Sequence, residues 1–210
     1  MSPDDRISNK RFASYMSNSK VDIIAASLFN INKDYYTRYE NGSQVHQTSA
    51  PEIIERMLRM LHPDPGDFIL EIGTGSGYTT DLLSNIVEEN GVITSIDIDA
   101  NMVERANQLL QKDGYTNVRV LLGDGRIGQP NGSPYNRIIA WASAEYEVLL
   151  PLVEQLTSNG ILVCPLRSKD SSWIASFKKN EAGNLEEIER ISGGFIPMTG
   201  VPFYPWLDER

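Results

Sequence analysis

The run Asp67-Phe-Ile-Leu-Glu71-Ile-Gly73-Thr-Gly75-Ser-Gly77-Tyr78 restricts the possible folds of this chain more than any other segment. Apolar residues around a single acid predict a short buried strand at 68–72. Three glycines at alternate positions predict a turn whose dihedrals other residues avoid, and they let a ligand approach the backbone closely. Leu82, Leu83, Ile86 and Val87 then fall at helical spacing within 78–89. A strand that passes through glycines straight into a helix is the opening of a βαβ unit.

The alternation continues downstream. Strands are predicted at 92–96, 118–122, 137–141 and 161–165, with helices at 101–112 and 147–156. Strands separated by helices of that length indicate a parallel sheet. The segments 172–178 and 185–191 flank Glu181-Ala-Gly183-Asn and predict an antiparallel hairpin added to the sheet. Upstream, Ser2, Pro3, Asp4 and Asp5 have the order of a helix start, and a second short helix is expected at 21–29. Residues 35–48 are polar and aromatic around the turn signal Asn41-Gly42, and are expected to be loop. Ser49-Ala-Pro51-Glu52 opens a helix whose apolar stripe is Ile53, Ile54, Met57, Leu58 and Leu61, ended by His62-Pro-Asp-Pro-Gly66. The expected architecture is one compact three-layer α/β domain. A helical cap and loop occupy 1–62, and the sheet core, hairpin and aromatic tail occupy 63–210.

Composition removes several functions. Against 19 basic residues stand 28 acidic ones, a formal charge of −9, which repels a polyphosphate backbone, so no nucleic-acid partner is expected. Cys164 is the single cysteine; it permits no internal disulfide and no cysteine-based zinc site, and no metal is expected. The first residues lack an apolar signal-peptide core and no stretch is long and apolar enough to span a bilayer, so no membrane partner and a cytoplasmic location are expected.

Three ligand classes compete for the glycine turn. A phosphate-binding Walker loop needs Lys and Ser/Thr after its last glycine, and Tyr78-Thr79 does not supply them. A dinucleotide fingerprint needs glycine where Tyr78 stands. What remains is a Gly-x-Gly-x-Gly turn behind Glu71, suited to a ligand with a positively charged head. Asp97 closes the second strand, where an acid can accept from both ribose hydroxyls, and Asp99 is placed to cap the next helix. Asp124, between Gly123 and Gly125, can accept from an exocyclic adenine amine. These acids follow strands one, two and three in series.

Together, Glu71-Ile-Gly-Thr-Gly-Ser-Gly-Tyr78, Asp97, Gly123-Asp-Gly-Arg126, Gly160-Ile-Leu-Val-Cys-Pro165, Thr48-Ser-Ala-Pro51 and Phe195-Ile-Pro-Met198 resemble the protein-L-isoaspartate O-methyltransferases. The resemblance covers roughly 43–199. It implies a Rossmann-like, seven-stranded methyltransferase fold that uses S-adenosylmethionine and releases S-adenosylhomocysteine. By the same resemblance Gly73, Thr74, Gly75 and Gly77 meet the methionine and ribose portions, with Glu71 near the ammonium group. Asp97 and Ile98 hold the ribose, and Gly123, Asp124 and Gly125 hold the adenine. Ser49, with Thr48, stands beside the acceptor carboxylate of an aspartyl or isoaspartyl residue in a peptide or protein. The implied reaction is carboxyl methylation, leading to a succinimide.

Little other catalytic machinery is demanded, because a sulfonium methyl is already activated and a carboxylate is already ionised; the enzyme has to align the two and exclude water. Several residues keep two readings. Ser49 either binds the acceptor or only caps the helix from Pro51, and His46 either orients the acceptor or is a surface-loop histidine. Trp141 is either core or a wall that narrows the acceptor pocket, while Ile196 and Pro197 belong to the late landmark. The departures from the family pattern lie on the acceptor side: Gln47-Thr48 replaces Thr-Ile before the serine, and Trp141-Ala-Ser-Ala-Glu-Tyr146 follows the fourth strand. They leave open a tailoring enzyme that modifies one ribosomally made peptide rather than a general repair enzyme. A non-catalytic S-adenosylmethionine-binding module and a nucleotide-dependent oxidoreductase are the alternatives from other classes. The aromatic run Val201-Pro-Phe-Tyr-Pro-Trp206 either covers the site or packs on the N-terminal helices.

Overall fold

The computed structural model describes residues 22–45 and 49–200. The expected N-terminal helix, His46, Thr48 and the run 201–206 lie outside the described residues. The glycine-rich segment forms the predicted unit: β1 (Phe68–Ile72) leads through the turn into a ten-residue helix (Tyr78–Val87) in which only Asn85 is not buried. To one side of β1 lie β2 (Val92–Asp97) and β3 (Val118–Leu122), to the other β4 (Tyr135–Ala140) and β5 (Leu156–Arg167), all parallel. Then β6 (Ser172–Lys179) and β7 (Leu185–Ser192) complete the sheet antiparallel, in the order β3-β2-β1-β4-β5-β6-β7. The chain order reverses at β1, so the crevice beyond the carboxyl ends of β1 and β4 is where such a sheet offers room for a ligand.

Period-two alternation sorts the strand side chains onto two faces. One face buries Ile69, Ile93, Val120, Ile139, Val163 and Ile174. The helices of that side cover it: α1 (Ile23–Asn30), α2 (Lys33–Thr37), α3 (Pro51–Leu61), α4 (Tyr78–Val87) and α5 (Ala100–Lys112). The opposite face buries Leu70, Ile138, Leu162, Cys164 and Phe177 under α6 (Leu150–Glu154) and the loops around it. No helix among the described residues is long and apolar enough to cross a membrane.

Two expectations about elements are corrected. The helix expected at 147–156 is a 3-10 turn (Tyr146–Leu149) followed by the five-residue α6, and β5 begins at Leu156. Buried Gln155 ends that helix: its amide nitrogen donates to the carbonyls of Ile127 and Pro151, and its oxygen accepts from the Gln129 N–H. Leu156 then pairs with Tyr135, with a register shift before Arg137 pairs with Ile161. The expected loop at 35–48 begins inside α2, because Asn32 caps the helix by accepting from the Asp34 N–H and Tyr36 and Thr37 are buried. The Asn41-Gly42 turn does form, with Gly42 at φ +83° and Arg38 bridging to Gln44.

Candidate functional site

Gly73, Gly75 and Gly77 all have positive φ, at +95°, +49° and +86°, which accounts for glycine at each. The turn is tied to β2 by the Gly73 N–H on the Ile96 carbonyl (2.8 Å) and by the Gly75 N–H on Asp97 Oδ2 (2.8 Å). Asp97 Oδ1 accepts from the Asp99 N–H (2.9 Å), and Asp99 itself caps α5 by accepting from the Asn101 N–H. Burial pushes the Asp97 carboxyl up, and the backbone N–H groups of Asp99 and Gly75 oppose that shift. Each of these two bonds uses one lone pair of its oxygen.

Below the turn, Glu71 is fully buried. Oε1 accepts from the Thr79 hydroxyl (2.5 Å) and Trp141 Nε1 (2.9 Å), and Oε2 from the hydroxyls of Thr80 (2.5 Å) and Ser95 (2.7 Å). Four donors occupy the four lone-pair positions of a carboxylate. Burial pushes its pKa up, opposed by the same hydroxyls and the indole. Glu71 therefore locks together β1, α4, β2 and the loop after β4, and it fixes the plane of Trp141.

A cavity of about 680 Å³ opens above this layer, within the size range of small-molecule sites. Gly73, Gly75, Asp97, Ile98, Gly123, Gly125, Trp141, Ile196, Pro197 and Ser49 all line it. The tertiary fold thus gathers onto one cavity residues that the sequence scatters over 150 positions. Four other candidates stand just behind the wall. Glu71 is beneath it, the Thr74 hydroxyl bonds that of Ser95 (2.6 Å), and Gly77 packs under Ala106 and Tyr36. Asp124 is engaged by Arg126: Oδ1 accepts from its N–H, and Oδ2 lies 2.9 Å from Nη2. Burial raises the Asp124 carboxyl and the Arg126 bonds outweigh it, leaving the net shift downward.

The roof is the segment 193–199, all of which lines the cavity. Ser143 staples it: its N–H donates to the Ile196 carbonyl (2.7 Å), its carbonyl accepts from the Met198 N–H (2.8 Å), and its hydroxyl donates to the Phe195 carbonyl (2.9 Å). Arg126 adds a bond to the Gly200 carbonyl (3.0 Å). A Cβ on Gly125 would meet Ile72 Cγ2 at 2.4 Å and Met198 Sδ at 3.2 Å, so glycine is what lets the roof descend there. Trp141 belongs to the core and also lines the cavity, beside Phe195 (6.4 Å between ring centroids). At the far end, the N-cap of α3 is Ala50, with no side-chain capping bond. Ser49 is therefore not the cap, and its hydroxyl forms no hydrogen bond with a described residue. Its carbonyl accepts from Lys33 Nζ (3.3 Å).

Sequence reasoning missed Ile53, Met102, Ile174, Met198 and Thr199 as lining residues, since each reads as ordinary core or loop. The pair Gly193-Gly194 directly after β7 was the available signal for the roof.

The family model described as Protein-L-isoaspartate(D-aspartate) O-methyltransferase (PCMT) matches residues 20–202. The chain belongs to this family. A protein-L-isoaspartate O-methyltransferase of Aeropyrum pernix is 37% identical over 153 residues, 72% of this chain and 58% of that protein. The protein-L-isoaspartate O-methyltransferase 2 of Archaeoglobus fulgidus is 36% identical over 152 residues, covering 72% and 68%. The chain thus spans 58% of the length of the Aeropyrum relative. Among solved structures, a protein-L-isoaspartate O-methyltransferase superposes with a TM-score of 0.69 at 26% identity, over 83% of this chain and 62% of that one. A Plasmodium falciparum PCMT structure in complex with S-adenosyl-L-homocysteine superposes with a TM-score of 0.71 at 16% identity, over 86% and 92%, a likeness of fold.

Proposed function

We propose that this chain is an S-adenosylmethionine-dependent O-methyltransferase acting on the carboxylate of an isoaspartyl or aspartyl residue in a peptide or protein. The observation that carries this reading is one cavity lined both by the glycine turn with Asp97 and by Ser49. The donor fits the residues present. The free lone pairs of Asp97 match two ribose hydroxyls, and the backbone at Gly123 and Gly125 closes the adenine end. S-adenosylmethionine, when bound, supplies a methyl group already activated by its sulfonium. Asp97 orients that end, Trp141 and the roof exclude water, and Ser49 donates a hydrogen bond to one acceptor oxygen while the other is free to attack. No general base is needed, because the acceptor is ionised at neutral pH. The methyl ester has a better leaving group than the acid, so attack by the neighbouring backbone nitrogen expels methanol and closes a succinimide.

A second version, tailoring of one particular peptide, is supported by Trp141, a bulky cavity-lining side chain whose indole is held by Glu71. Methyl transfer from labelled S-adenosylmethionine to an isoaspartyl peptide and to its normal-aspartate twin separates the versions. Label on the isoaspartyl peptide alone is the expected result. Donor binding with label on neither peptide points instead to a constrained acceptor. We place the working site of the chain in the cytoplasm, with no nucleic acid or membrane as partner.

A further inference from the structure

Among the described residues the cavity wall contains two acids, Asp97 and Asp99, and no lysine, arginine or histidine. An acceptor carboxylate entering it meets like charge and needs a cation nearby. The arginines of the described residues are largely committed elsewhere. Arg38 pairs with Asp34, Arg56 with Glu189, Arg59 with Asp22 and Glu55, Arg126 with Asp124, and Arg137 with Asp64 and Asp67. Arg105 is spent on the carbonyls of Ser76 and Arg38.

Lys33 differs. It is half-buried, forms no ion pair among the described residues, and its ammonium lies 3.3 Å from the carbonyl of Ser49. That bond uses one of three ammonium donors, and the other two bond no described residue. The position is fixed from behind. Asn32 caps α2, the Thr37 hydroxyl bonds the Lys33 carbonyl (3.0 Å), and buried Tyr36 anchors the helix through its hydroxyl on Asp113 (2.6 Å). Lys33 thus contacts Ser49, a residue that lines the cavity and whose hydroxyl has no hydrogen-bond partner among the described residues.

Resting on the function proposed above, we propose that Lys33 is the positioning cation of the acceptor site. It holds the backbone of Ser49 in place and supplies the positive charge that draws an ionised carboxylate to the Ser49 hydroxyl. The acceptor class follows from this: an anionic side chain, with its amide counterpart disfavoured.

The test compares wild type with Lys33→Met and Lys33→Arg in methyl transfer to an isoaspartyl peptide at low and high salt. S-adenosylhomocysteine affinity is measured in parallel by calorimetry. Wild-type KM is expected to rise with ionic strength; Lys33→Met is expected to raise the peptide KM at least tenfold at low salt, leave S-adenosylhomocysteine affinity within twofold, and abolish that rise. Lys33→Arg is expected to stay within threefold of wild type. An unchanged KM in Lys33→Met, or equal losses of peptide and S-adenosylhomocysteine affinity, overturns the assignment while leaving the methyltransferase reading intact. Wild-type protein that binds S-adenosylhomocysteine yet methylates no carboxylate peptide overturns the functional reading itself, and this inference with it.

Discussion

The glycine turn at 73–77 and the roof at 193–199 face each other across one cavity, yet they are held by different physics. The turn is local. Positive-φ glycines shape it, the strand and helix on either side are nearly all buried, and Glu71 beneath it closes four hydrogen bonds without reaching the cavity. The roof is held from a distance. Its anchors are Ser143 and Arg126, more than fifty residues earlier, and the Arg126 ion pair is half-exposed, a class of contact worth little by itself. The lesson is that the glycine-turn side of the cavity is built from contiguous, buried backbone, whereas the roof over it is held by contacts from far along the chain. On the function proposed above, the local, buried side is the one that would aim the donor methyl.

That contrast can be broken. The largest effect should come from Glu71→Ala, which leaves four buried donors without their acceptor and should destabilise the fold by about 3 kcal/mol or more. Urea titration checks it, and a loss under about 1 kcal/mol would mean that the turn is no more locked than the roof.

Next is a pH effect at the point where the two regions meet. Asp81 on α4 is buried and accepts from the Tyr115 hydroxyl and the Asn85 amide. Tyr36, from the acceptor-side α2, packs on Gly77 beside it. Burial pushes the Asp81 carboxyl up to about 6, with the bonds from Tyr115, Tyr36 and Asn85 opposing and nearby Asp113 reinforcing the rise. A folded-state value above the unfolded one means that the native protein keeps its proton longer. Stability contributed by Asp81 is thus full below pH 4, falls as pH rises toward 6, and is level above. The limiting slope is about 1.4 kcal/mol per pH unit. Asp81→Asn should remove that fall, seen as a difference between the two proteins' urea midpoints at pH 4.5 and 7. Parallel midpoints would show that Asp81 titrates normally.

Asp97→Asn comes third. It should weaken S-adenosylhomocysteine binding about 10–100-fold, as expected for hydrogen bonds to a charged acceptor worth about 1.5–3 kcal/mol. Calorimetry with unchanged affinity would remove the ribose assignment. The smallest stability effect belongs to Ser49→Ala, within about 0.5 kcal/mol because no cap is lost, while turnover drops more than S-adenosylhomocysteine affinity. Equal losses in both would make Ser49 a structural residue.

Much of the donor end was legible because its determinants are close in sequence. Gly73 to Tyr78 predict their own turn, Asp97 ends β2 with Asp99 two residues on, and the strands at 68–72 and 118–122 have the expected bounds. Helix 147–156 was misjudged because its apolar spacing suits a helix, whereas Gln155 is drawn into bonds with Ile127 and Gln129 that no local pattern reveals. The expected loop at 35–48 overlaps the end of the helix Lys33–Thr37 for a similar reason: burial of Tyr36 beside Gly77 stabilises it from outside.

The amino-acid order alone determined the parallel α/β architecture, the glycine turn and the series of acids after three strands, because periodicity and dihedral preference act within a few residues. Only the tertiary structure decided that Glu71 serves the scaffold rather than the cavity wall, that Trp141 is pinned into that wall, and that Lys33 reaches Ser49. Those outcomes depend on which buried polar groups find partners across the fold, and a buried group's partner is chosen by three-dimensional packing rather than by its neighbours in the chain.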